Sequence, residues 1–181
     1  YAHEQPDTYT YDPDDPVIGH QLTEPAPERD QREREGRLLT YTSDVLQEPV
    51  AVIGPVKAVL YAASSAPDTD WIVRLCDVAP DGRSTRICDG IVRARYRDRL
   101  DRPQLLEPGR VYRLEIDMSV TAQTFLAGHR IRIHVTSSDF PRYDRNLNTG
   151  GSWGEEVEGQ VAVNTVFHDS ERPSHLVLPI D

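Results

Sequence analysis

The sequence predicts an all-β, antiparallel sandwich or barrel. Three observations carry that prediction. Apolar residues recur with a period of two in several segments, turn-forming residues separate those segments, and no stretch sustains a 3.6-residue apolar stripe. Residues 1–36 come first and read as a polar arm ahead of a sandwich spanning residues 37–181. The arm is rich in Pro, Asp, Glu and Arg and ends in Glu28-Arg29-Asp30-Gln31-Arg32-Glu33-Arg34-Glu35-Gly36. That run has the makings of one helical turn, but its mixed charge favours a solvated connector.

After Gly36 the strands follow in order. Val50–Ser64 and Trp71–Val78 are rich in β-branched residues and read as well-buried strands. In Ile91–Arg97, Val92, Ala94 and Tyr96 face one way and Arg93, Arg95 and Arg97 the other. In Val111–Met118, Tyr112, Leu114, Ile116 and Met118 alternate with Arg113, Glu115 and Asp117. In His129–Val135, Ile131, Ile133 and Val135 alternate with Arg130, Arg132 and His134. Successive side chains on a strand point to opposite faces, so each of these segments should have one buried and one wet face. Gln160–Phe167 is a last strand. Pro80-Asp81-Gly82, Asp89-Gly90, Pro108-Gly109 and Ala127-Gly128 supply turns between strands.

Composition narrows function. The formal charge of −10 and pI near 5.0 argue against nucleic acid or an anionic membrane surface as partner. No apolar run approaches the ~20 residues that span a bilayer, and nothing reads as a signal peptide, which favours a cytoplasmic protein. A chain that opens on Tyr1 reads as a piece of, or a product from, something longer. Cys76 and Cys88 flank the Pro80-Asp81-Gly82 turn at nearly equal distances, so a hairpin would bring them close; reduced, packed thiols are the favoured state.

One catalytic pattern matches formally. Gly150-Gly151-Ser152-Trp153-Gly154 satisfies G-x-S-x-G, with His168 and His175 downstream. A nucleophile elbow needs a buried strand entering a sharp turn and a helix leaving it. Here Asn146-Leu147-Asn148-Thr149 leads in and Glu155-Glu156-Val157-Glu158-Gly159 leads out, both too polar, so a Gly-rich loop is expected instead. His129 and His134 lie on strands and suit structural hydrogen bonds better than metal ligation. Asp12, Asp14 and Asp15, and separately Asp68 and Asp70, lack the spacing of a calcium loop. Trp71 lies mid-strand, where core packing is expected rather than sugar stacking. The sequence thus nominates no catalytic residue, metal ligand or cofactor.

Several segments, in order, resemble the C-terminal domain of the cocaine esterase / X-prolyl dipeptidyl-peptidase family of serine hydrolases. They include Tyr11-Asp12-Pro13-Asp14-Asp15-Pro16-Val17, Ser64-Ser65-Ala66-Pro67-Asp68-Thr69-Asp70 and Asp89-Gly90-Ile91-Val92-Arg93. The most specific is Gly128-His129-Arg130-Ile131-Arg132 leading to Ser137-Ser138-Asp139-Phe140-Pro141-Arg142-Tyr143-Asp144-Arg145-Asn146-Leu147-Asn148-Thr149-Gly150. The resemblance implies a jelly-roll sandwich similar to galactose-binding domains, following an α/β-hydrolase domain that holds the family's Ser, Asp and His. None of those three maps onto this sequence. Between Val17 and Gly36 the Gly-Gly and bulky apolar residues of the family pattern are missing.

The partner so implied is the catalytic domain of the same parent chain, an esterase, acylase or X-Pro dipeptidyl-peptidase. The long Ser137–Gly150 segment and the Tyr11–Leu22 arm are the expected docking surface. Phe140, Arg142, Tyr143, Arg145, Asn146 and Leu22 are its candidate contacts. An independent carbohydrate-binding module and an oligomerisation domain are the competing readings.

Overall fold

The computed structural model describes residues 4–19, 30–152 and 154–180. Among the described residues nine strands form two antiparallel sheets stacked as a jelly-roll sandwich. The first sheet runs β1 (Asp7–Tyr11), β8 (Ala162–Phe167), β3 (Val50–Ser64) and β6 (Tyr112–Phe125). The short β9 (His175–Val177) also belongs to it, pairing with β3 through Lys57–Val59, while β8 takes Tyr61–Ser64 on the same edge. The second sheet runs β2 (Leu39–Thr42), β7 (Arg130–Thr136), β4 (Asp70–Val78) and β5 (Ser84–Arg93). Among the described residues no helix is long and apolar enough to cross a membrane.

The period-two stripes meet between the sheets as expected. Val52, Val56, Ala58, Leu60 and Ala62 of β3 pack with Leu114, Ile116 and Met118 of β6. Facing them are Trp71, Val73 and Leu75 of β4 and Val135 of β7, with Ile131, Ile133 and Tyr112 half-buried against the cluster. Trp71 is therefore core. The sheets close on each other where β5 crosses β6. There a side chain on Gly90 would sit 2.1 Å from the Asp117 carbonyl oxygen, so only a residue without Cβ fits.

Four expectations need correction. The Ile91–Arg97 strand stops at Arg93, and Ala94–Tyr96 is a 3-10 turn. Alternation alone could not show this, because the stop is tertiary: the Ala94 and Arg95 N–H groups donate to the Thr69 carbonyl and the Asp68 carboxylate. Second, the arm is not solvated connector throughout. Asp7–Tyr11 is an edge strand of the first sheet, in register with β8, and Arg32–Glu35 makes one helical turn, α1. Third, the second face of β7 is not wet at its C-terminal end, beside β4, the strand read as well buried. Ile72, Arg74, Cys76 and His134 all lie buried beneath the arm and the β7–β8 connection. Fourth, Asp89-Gly90 is no turn between strands but lies inside β5, paired with Arg74 and Val73 of β4. Cys76 and Cys88 are free thiols, the favoured state, with Cys88 opposite Leu75 and Cys76 opposite Arg86 across a bulge. Burial pushes Cys76 up to about 12 and Cys88 up to about 11, which makes both poor nucleophiles.

Candidate functional site

The β7–β8 connection, which begins at Ser137, is far longer than a hairpin needs. It is fastened to the sandwich at three places. The first is the outer face of the second sheet, where Arg74 lies fully buried on β4. Arg74 pairs with Asp139 at 2.9 Å and with Asp89 at 3.7 Å. Arg142 grips Asp89 through both ends of its guanidinium and lies 3.5 Å from Asp139. Burial alone would raise the Asp89 carboxyl, but Arg142, Arg74 and Arg86 outweigh it and hold the group below its ordinary value. The hydrogen bond to Asp89 in turn holds Arg142 above its own ordinary value.

The second fastening is a buried pair of ion pairs. Arg93 binds Asp70 with two hydrogen bonds of 2.9 and 3.0 Å, and Arg95 binds Asp68 at 2.8 Å. The Asn146 amide bridges both carboxylates at 2.9 and 2.8 Å. The Asp68 and Asp70 carboxylates are thus spent on arginine. Asp12 closes a turn by accepting from the Asp14 N–H, and Asp15 pairs with Arg37.

The third fastening is the arm. The Val17 N–H donates to Ser138 Oγ at 2.8 Å and the Phe140 N–H donates to the Val17 carbonyl at 3.1 Å. The Gly19 N–H then returns to the Phe140 carbonyl, which aligns Ile18 parallel to Phe140. Tyr11 OH donates to the Asn146 carbonyl and Arg145 to the Pro13 carbonyl. The arm and the connection are one surface, as their shared polarity and rings implied.

The candidate contacts fall into two kinds. Phe140, Tyr143 and Arg145 are half-exposed on this surface, with the Arg145 guanidinium 5.8 Å from the Phe140 ring centre. Ile18, not singled out from sequence, stands 52% exposed beside them. Arg142 and Asn146 have their polar groups committed inside the domain, so they hold the loop in shape. Leu22 lies outside the described residues. Arg74 was also missed, although a lone arginine inside Trp71-Ile72-Val73-Arg74-Leu75-Cys76 signals a buried charge that needs partners.

The remaining candidates have structural partners. Ser152 is exposed in an open turn, where its carbonyl accepts from the Glu155 N–H. No strand enters that turn and no helix leaves it among the described residues, and Trp153 lies outside them. His168 bonds Asp7 and His175 bonds the Pro173 carbonyl. His129 bonds Asp77 at 2.8 Å, and His134 bonds Glu35 at 3.1 Å. Among the described residues no Phe, Tyr or Trp is fully exposed, and Phe140 and Tyr143 are half-exposed.

Residues 2–177 match the family described as the X-Pro dipeptidyl-peptidase C-terminal non-catalytic domain. The chain is 49% identical to a cocaine esterase of Rhodococcus sp. over 98% of its own length and 32% of that protein's. It is 35% identical to a putative serine esterase of Mycobacterium bovis over 61% of the chain and 20% of that protein. Among solved structures, an alpha-amino acid ester hydrolase superposes with a TM-score of 0.90 at 29% identity, over 97% of this chain and 32% of that one. An aminopeptidase from a marine sediment archaeon superposes at 0.86 and 31% identity, over 99% and 34%. The chain spans about a third or less of the length of these relatives.

Proposed function

Since the chain belongs to the family of X-Pro dipeptidyl-peptidase C-terminal non-catalytic domains, we propose that it docks on the catalytic domain of a parent serine hydrolase and helps shape its active-site mouth. The parent's reaction, in this reading, is hydrolysis of an acyl ester, an amide or an X-Pro peptide. The sandwich contributes no reacting group. Its contribution is a rigid wall that excludes water and fixes neighbouring loops.

The observation that carries the reading is the surface built from the arm and the β7–β8 connection. Closing the sandwich does not require so long a connection, yet its backbone is held by two buried arginine–carboxylate clusters. What that rigid backbone presents outward is Ile18, Phe140, Tyr143 and Arg145, and aromatic residues and arginine are enriched where interface energy concentrates. A pre-ordered loop also loses little entropy on docking.

The test uses a separately produced catalytic domain of the parent. It should bind this chain, and the Ile18→Ala, Phe140→Ala double variant should bind at least about tenfold more weakly. The variant's own melting temperature should stay close to that of the unaltered chain. Unchanged affinity in a folded double variant would refute this surface. Arg142 is the wrong residue to replace here, because losing its pair with Asp89 would disturb the domain itself.

A further inference from the structure

A cavity of about 150 Å³ lies between the two sheets, away from the residues of the β7–β8 connection. Its walls come from the inner faces of both sheets: Ala58, Leu60, Val166 and Leu176 on one side, Val73, Ile133 and Val135 on the other. It exists because of how β3 is paired. One edge of β3 is shared by two short strands, β8 and β9, and the chain between them bulges away before returning at Ser174. Ser174 plugs the backbone there, accepting from the Tyr61 N–H at 2.9 Å and donating to the Phe167 carbonyl at 2.6 Å. Ala58, on β3 beside β9, contributes only a methyl group to that wall.

The mouth is formed by Tyr41, His168 and His175. The Tyr41 and His168 rings meet edge to face at 6.0 Å. Their polar atoms turn to the arm: Tyr41 OH donates to Asp7, and His168 Nε2 bonds the same carboxylate, each at 3.0 Å. His168 Nδ1 lies 3.6 Å from Glu4. Among the described residues no lysine or arginine lines the cavity, so an entering anion would find neither to pair with. A polar group carried into the interior would lose its water without gaining a hydrogen bond. An apolar space of this size is large enough for a benzene-sized molecule.

We propose that this inter-sheet cavity is a binding site for a small uncharged apolar molecule, up to a single aromatic ring in size. Entry is past the Tyr41–His168 rim, whose ring edges suit an aromatic face.

The experiment is a methyl NMR titration of the chain with fluorobenzene, run in parallel with 4-fluorobenzoate. Fluorobenzene should cause saturable shifts confined to the methyl groups of Ala58, Leu60, Val73, Ile133, Val135, Val166 and Leu176, and 4-fluorobenzoate should cause none. Ala58→Leu or Leu176→Phe, each filling the space from one wall, should abolish the shifts. Because Ala58→Leu risks overpacking a buried position, Leu176→Phe on the half-buried edge strand is the second variant, and the shift map of the unaltered chain needs neither. No saturable shift up to the solubility of fluorobenzene, shifts centred elsewhere, equal binding of the benzoate, or undiminished binding by a folded filled variant would each overturn the assignment.

Discussion

At the scale of single residues, the groups that matter most are buried charges, and they were the least legible in sequence. Period-two alternation marks His134 and Arg132 as one face of a strand, yet alternation does not say that α1 will cover that face. Glu35 of α1 reaches both, and burial, followed by the nearby Arg74 charge, depresses His134 to about 4. The sign follows from proton counting. Between about pH 6.5 and 4 the unfolded chain binds a proton at His134 that the folded chain does not, so stability falls as pH drops through that window. The loss is on the order of 3 kcal/mol by the lower end, and Glu35 and Asp89, both held below their ordinary values, add to it as the pH falls through the ordinary carboxylate range and below. His134→Gln should flatten the slope of unfolding free energy against pH from 6.5 to 4 and leave it unchanged above, as denaturant melts at each pH would record. Gly90 belongs to the same scale. Gly90→Ala must push β5 off β6 at the Asp117 carbonyl, and a destabilisation of roughly 3 kcal/mol or more is expected in chemical denaturation.

At the scale of elements, the sequence was most readable where one face is wet and the other dry. Tyr112–Met118 shows this plainly, since Leu114, Ile116 and Met118 are buried while Arg113, Glu115 and Asp117 are exposed. The same strand continues to Phe125, past Val120, which is 70% exposed, so its second half has no dry stripe to read until its end. Ile116→Ala should therefore cost about 2–5 kcal/mol, and Val120→Ala less than about 0.5 kcal/mol. Equal midpoints for the two variants in urea would mean the facing of β6 is wrong. β1 was missed for a different reason. Asp7-Thr8-Tyr9-Thr10-Tyr11 alternates, but its inward residues are tyrosines with polar tips, Tyr9 bonding Ser137 and Tyr11 bonding the Asn146 carbonyl. A strand buried through hydroxyl groups does not register as apolar. The end of β5 was hidden similarly, because Asp68 and Asp70 stop it from another part of the chain.

At the scale of the whole molecule, the jelly roll is a platform, and what distinguishes it is the arm and long connection locked onto one side. That this connection would be long, polar and ring-bearing was legible, and it left a contact surface and an internally satisfied loop equally open. Which arginines would stay inside was not legible, since Arg142 and Arg145 look alike in sequence and only the position of Asp89 separates them. The central claim is that the surface carrying Ile18 and Phe140 lies against a catalytic domain in the parent hydrolase. Hydrogen–deuterium exchange tests it most directly, comparing this chain alone with the same residues inside the full-length parent. The account predicts that protection gained in the parent is concentrated in Val17–Gly19 and Phe140–Arg145. Protection gained instead at the far end of β6, around Val120–Leu126, with Val17–Gly19 and Phe140–Arg145 unchanged, would contradict it.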